Sequence, residues 1–170
     1  MKLFYFTITL ILFLNKAFAE EISIEDSLAS VPKSVETSIR AQKNFEFSNC
    51  KLKGQLINLT DSDKASDYVV TTSEACGWGA STGPIWVVAK LDGSYTALLA
   101  TSAYTVAMNK NKNHGLRQVV TTSGTAGHAS YTRWGFTGKN YKQLENYVFF
   151  PDDKKLCKAH QDICPFEMEH

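Results

Sequence analysis

A five-residue string occurs twice in this chain. Val69-Val70-Thr71-Thr72-Ser73 returns fifty positions later as Val119-Val120-Thr121-Thr122-Ser123. The surroundings of the two copies agree in order and in chemistry. After the first come a Gly-rich stretch, a tryptophan-bearing run (Ile85-Trp86-Val87-Val88) and a turn, Asp92-Gly93-Ser94-Tyr95. After the second come a Gly-rich stretch, another tryptophan run (Tyr131-Thr132-Arg133-Trp134) and a turn, Gly138-Lys139-Asn140-Tyr141. A polar loop precedes each copy. A period of about 50 residues falls in the range of blade-type β repeats, and Val/Thr strings suit a pleated, half-buried surface. The chain therefore reads as one β unit used twice, over residues of about 50–101 and 102–147.

Each unit is expected to hold four antiparallel strands. In the first they cover residues 51–59, 68–73, 84–91 and 95–101, with Asp92-Gly93 as a strong hairpin signal. In the second they cover 104–108, 116–123, 130–136 and, more weakly, 141–147. Two units cannot close a propeller, which needs about four to eight blades. The expected fold is thus mainly β, two four-stranded units packed as a sandwich or as one strongly curled sheet. Ahead of them, Val35 and Ile39 lie four apart with charged residues on the other faces, and Pro32 stands just before. That spacing predicts a short N-terminal helix over 34–44 that must pack on the sheet. Residues 20–30 read as a loose polar lead, and 148–170 as an irregular tail.

Residues 1–19 read as a secretory signal peptide: Lys2, an apolar run from Leu3 to Leu14, and Ala17-Phe18-Ala19 as the cleavage site. One domain over 20–170 remains. Lys2 and Lys16 leave with the signal, which takes the formal charge from +1 to −1. A near-neutral chain has no electrostatic footprint for nucleic acid and no polybasic membrane patch. No later segment is apolar for long enough to insert in a bilayer. The compartment expected is the periplasm or the exterior. The four cysteines then read as two disulfides, Cys157–Cys164 stapling the tail and Cys50–Cys76 tying the entry of the first unit to its Gly-rich loop. The latter is worth about 2–4 kcal/mol through loop closure.

Asp61, Asp63 and Asp67 stand before the first repeated string, and Asp67-Tyr68-Val69-Val70 leads into it. This entry resembles the FG-GAP type of repeat, in which an Asp-rich loop precedes an Asp-hydrophobic-Val-Val strand. The resemblance covers about residues 56–141 and implies architecture rather than activity. It departs from the pattern at Lys64, where that family places Gly, and at Leu59, where the first acid would fall. The second copy, from Lys110 to Gln118, has no acids. The three carboxylates make a calcium-stabilised adhesive module one alternative.

No catalytic signature stands out, and no cofactor is implied. Cys76 with His128 as its base gives a second alternative, a small cysteine hydrolase. However, Gly77 and Gly79 argue against the helix N-terminus that activates such a thiol. In the tail, Cys157, His160 and Cys164, followed by His170, have a loose zinc spacing, against which stands the simpler reading of a disulfide and surface histidines. Asn58-Leu59-Thr60 is a glycosylation sequon. What survives is geometric. Equivalent loops of a repeat lie at the same end of equivalent strands, so residues 74–83 and 124–129 are expected on one rim. That rim would present Trp78, Ser81, Thr82, Thr125, His128 and Tyr131, a large ring among small polar groups, as binding surfaces do. Against this stands the reading of Trp78 as a cap on the core. The function expected is that of an exported non-catalytic binder of another exported protein, such as an inhibitor or immunity-type binder of a cell-wall-degrading enzyme.

Overall fold

In a computed structural model the residues described are 21–60, 62, 64–125, 127–161 and 163–165. The expected signal peptide, Asp61 and Asp63 lie outside them. Ten strands and two helices follow in order. They are β1 (Glu21–Ser23), β2 (Ala29–Ser30), α1 (Lys33–Arg40), β3 (Leu52–Ile57), β4 (Asp67–Thr72), β5 (Gly83–Leu91) and β6 (Ser94–Ala103), then β7 (Thr105–Asn113), β8 (Leu116–Thr125), β9 (His128–Phe136), β10 (Tyr141–Phe149) and α2 (Lys154–Ala159). They form two antiparallel sheets, ordered β2-β3-β4-β5-β6 and β1-β7-β8-β9-β10, and neither closes into a barrel.

Each sheet has five strands rather than the four expected. The fifth comes in both cases from the supposedly loose lead. Ile22 is the one buried residue of three-residue β1, and β2 has two residues, so neither is long enough to show a period. The tail likewise contains α2, six residues long.

The repeated string takes the same place in each sheet, on β4 and on β8. Val69 and Val119 both point into the layer between the sheets, with Ile57, Ile85, Val87, Val106 and Met108 around them. The two tryptophans, however, are not equivalent. Trp86 lies opposite Val70, whereas Trp134 lies opposite Val119. One residue of offset turns a strand side chain to the other face. Trp134 therefore faces the inter-sheet core, and Trp86 faces outward beneath α1.

That outward face of the first sheet is covered as well. Val35 and Ile39 of α1 close over Leu52, Val70, Trp86 and Val88, with Phe45 and Phe47 beside them. The predicted stripe thus forms, and each of its two fully buried side chains contributes about 1.5–3 kcal/mol of transfer free energy. Coverage on both faces explains why β5 is buried continuously from Gly83 to Ala89. Gly54 of β3 is also required, since a Cβ there would stand 2.5 Å from the Val69 carbonyl oxygen.

Asp67 holds one end of the sandwich together. Its carboxylate is buried, accepting the Leu59 N–H on Oδ2 (3.0 Å) and the Lys90 N–H on Oδ1 (2.9 Å). The Leu59 carbonyl in turn accepts the Arg117 N–H (2.8 Å), and the Arg117 carbonyl accepts the Tyr141 hydroxyl (2.7 Å). The chain of bonds therefore runs from the first sheet into the second. Asp67→Ala would strand two amide groups inside the protein, at about 1–3 kcal/mol each. We expect a large drop in the urea midpoint, with Asp67→Asn intermediate because it keeps one acceptor oxygen.

Burial raises the pKa of the Tyr141 phenol well above the ordinary value of 10, and the Asp67 charge acts in the same direction. The folded state therefore keeps a proton that the unfolded chain releases near pH 10. Tyr141 contributes its full stabilisation below about pH 10 and loses it as the pH rises through the window above. Tyr141→Phe should flatten the alkaline fall in melting temperature while lowering the value at neutral pH, measured by thermal melts from pH 7 to 11.

Candidate functional site

The β4–β5 connection has an unusual backbone. Glu74 (φ 57°) and Ala75 (φ 53°) are consecutive non-glycine residues in the left-handed region, followed by Gly77 (φ 75°). For L-residues this costs about 1–2 kcal/mol each, so the surroundings must impose it. Several contacts do so. Cys76 is bonded to Cys50. The Cys76 N–H donates to the Ser73 carbonyl (3.0 Å), and the Cys76 carbonyl accepts the Thr72 hydroxyl (2.5 Å). Phe47 lies so close over Gly77 that a Cβ would stand 2.4 Å from its ring. The loop is thereby fixed, with Glu74, Ala75, Gly77, Gly79 and Ala80 exposed.

Trp78 is half-buried and rests against the inter-sheet core. Its indole N–H donates to Thr72 Oγ1 (2.9 Å), and Lys53 Nζ sits 5.6 Å from its ring. Gly83 gives it room, since a Cβ there would meet the indole at 3.0 Å. Ser81 and Thr82 are half-buried, and the Thr82 carbonyl accepts the Gly79 N–H (2.8 Å).

The β8–β9 hairpin exposes Thr125 and His128, whose Oγ1 and Nδ1 are 3.3 Å apart. The His128 ring lies 5.9 Å from that of Phe150, which is itself 47% exposed. Both connections leave the sandwich at the end where the chain crosses between sheets. Gly83 pairs with Ala103, and two residues later Thr105 pairs with Thr122. Tyr104 makes the crossing, its N–H donating to the Thr122 carbonyl (2.8 Å). Its exposed hydroxyl donates to Glu25 (2.7 Å), which raises the pKa of the phenol.

Tyr131 stands apart from His128. It pairs with Thr122 and Tyr147 on the outer face of the second sheet, its ring 6.4 Å from that of Tyr147. It borders two adjoining hollows of about 420 and 310 Å³ that also share Thr122 and Ile163. The tail reaches this face, and His160 stacks on Tyr147 at 4.2 Å. Tyr104, Tyr147, Phe150 and His160 are thus neighbours of the expected site that its motifs do not name. The Val/Thr alternation of β8 places the outer face, but nothing in the spacing says that the tail folds back to it.

The chemistry available is limited. Cys76 and Cys157 are in disulfides, to Cys50 and Cys164, and no described cysteine is free. A hydrolase using Cys76 would therefore lack its thiol, and a tail zinc site its thiolates. Both Asp67 oxygens already accept backbone amides. Among the described residues no three His, Cys, Asp or Glu side chains converge as a metal would need. Nothing positive here points to an enzyme. No protein family, curated protein or solved structure matches the chain.

Trp78→Ala should lower stability by about 2–4 kcal/mol, through lost packing and the loss of the indole hydrogen bond to Thr72. Ala80→Arg, at an exposed neighbour, should change the urea midpoint little. Equal effects would contradict the placement of the indole on the core.

Proposed function

We propose that the protein is an exported, non-catalytic binder that captures another exported protein. The surface is the end of the sandwich where the β4–β5 connection and the β8–β9 hairpin emerge. One observation carries this reading. The β4–β5 loop is held in a costly backbone conformation by a disulfide, a phenylalanine ring and backbone hydrogen bonds, yet Glu74, Ala75, Gly79 and Ala80 stay exposed. Strain of this kind gathers at ligand clamps, and a loop ordered in advance binds with less entropy lost. The partners in capture are exposed Glu74, Gly79 and Ala80 on one side and Thr125 and His128 on the other. Trp78 supports the loop from beneath, and Tyr131 belongs to the adjacent face.

Two disulfides fit an oxidising environment. Among the described residues no helix is long and apolar enough to cross a membrane. Within that setting a cell-wall-degrading enzyme is the partner we favour, with this chain as its inhibitor or immunity-type binder. Derivation of the two halves from one β unit is part of the same reading, supported by the matching inward positions of Val69 and Val119.

The test is capture of periplasmic or secreted proteins on the immobilised mature chain, identified by mass. Gly79→Arg with Ala80→Arg should abolish capture of a wild-type-specific partner, and His128→Ala should weaken it. A captured wall hydrolase should lose activity stoichiometrically on addition of the wild type. Capture that survives all of these substitutions places the surface elsewhere.

A further inference from the structure

The second sheet carries its charge unevenly. Residues 105–149 contain Lys110, Lys112, Arg117, Arg133, Lys139 and Lys142 against a single acid, Glu145. Arg133 and Glu145 face each other across β9 and β10 and form an ion pair. The other five cations all lie at the end of the sheet remote from the β8–β9 hairpin. Lys110, Lys112 and Arg117 flank the β7–β8 turn, and Lys139 and Lys142 flank the β9–β10 turn. Among the described residues Lys110, Lys139 and Lys142 are exposed and make no ion pair. Lys112 Nζ donates to the Thr60 carbonyl of the adjoining β3–β4 connection (3.1 Å).

Ladder irregularities of this sheet fall at the same end. Between Met108 and Lys112, β7 has three residues where β8 has only Gln118. On β10, Leu144 is the extra residue between Gln143 and Glu145. Bulges re-aim side chains and gather near functional sites. Here they occur beside Lys110 and Lys112 on one strand and Lys142 on the other. Gln118, opposite the first bulge, keeps its Oε1 buried without a hydrogen-bond partner.

We propose that this end is a docking surface for an anionic polysaccharide. Lys110 on β7 and Lys142 on β10 stand three strand spacings, about 14 Å, apart, a separation that suits repeated charges along a polymer. Lys110, Lys139 and Lys142 are compact point charges suited to anions without fixed bidentate geometry. Protein interfaces, by contrast, are depleted in Lys and enriched in Arg and aromatic residues. Leu144 is the only large apolar side chain exposed on β7–β10 near these turns. The surface lies at the other end of the sheet from the capture loops and does not depend on that reading.

The experiment uses the mature chain, with heparin as a sulfated polymer and polygalacturonate as a carboxylated one, at about 50 mM salt where screening is moderate. The wild type should bind at least one of them and release it as salt rises. Lys110→Glu, Lys139→Glu and Lys142→Glu together should weaken binding by about tenfold or more. Lys154→Glu, Lys155→Glu and Lys158→Glu on α2 change the net charge equally and should stay within about twofold of wild type. Thermal melts verify that both variants fold, and a milder triple Lys→Gln variant should weaken binding in the same direction. Equal losses in the two Lys→Glu variants, no binding of either polymer, or tighter binding to phosphatidylglycerol vesicles than to polymer would each overturn the proposal.

Discussion

A carboxylate taken out of water must find hydrogen bonds or the fold around it fails. Asp67 finds two amide donors, from Leu59 and Lys90, and so fastens the β3–β4 connection to β5. The Leu59 carbonyl then reaches Arg117, and the Arg117 carbonyl reaches Tyr141. At the opposite end the two sheets are joined by the chain itself at Tyr104, with Ile24 N–H donating to the Tyr104 carbonyl at 3.0 Å. The apolar layer of Val69, Val87, Val106 and Val119 thus lies between a polar tie and a covalent crossing. Area burial favours sheet-on-sheet packing in general, but it is non-directional. The two closures give it one alignment.

The sheets are unequal, and the inequality bears on function. The first is covered on both faces, by α1 with its aromatic neighbours and by the second sheet. The second keeps a half-exposed outer face, crossed by Tyr131, Tyr147 and the returning tail. The first sheet accordingly offers a connection, the loop around Cys76, whose shape is set from beneath. The second offers a face and two ends that differ in charge. A scaffold in which one sheet supplies rigidity can leave the other free to vary its surface.

Much of this was legible in the residues. The Val/Thr strings, the Asp92-Gly93 turn and the Val35/Ile39 stripe locate β4, β8, the β5–β6 hairpin and α1, because each is a local pattern with a local cause. The disulfides follow from an even cysteine count and proximity in sequence. What was not legible is non-local. β1 and β2 exist only because longer strands accept them. The one-residue offset that sends Trp86 outward and Trp134 inward is set by strand register, to which identical flanking strings are blind. Asp67 reads like a surface ligand beside Asp61 and Asp63, yet its side chain turns inward. Trp78, the obvious binding ring of a glycine-rich loop, is held to Thr72 instead. For Asp67 and Trp78 composition suggested a surface role, and hydrogen bonds to buried groups decided otherwise.

The first described strand belongs to the sheet whose other four strands come from the carboxyl-terminal half. Glu21 pairs with Ala107, and Ile22 fills a gap lined by residues of both halves. A polypeptide emerging amino end first must therefore hold this segment in waiting until β7 arrives, while β2, a few residues on, already has its mate in β3. Closing such a distant pairing is slow relative to local hairpins. The leading segment so acts as a latch, and the assembled sandwich is reached only once the carboxyl-terminal half is present.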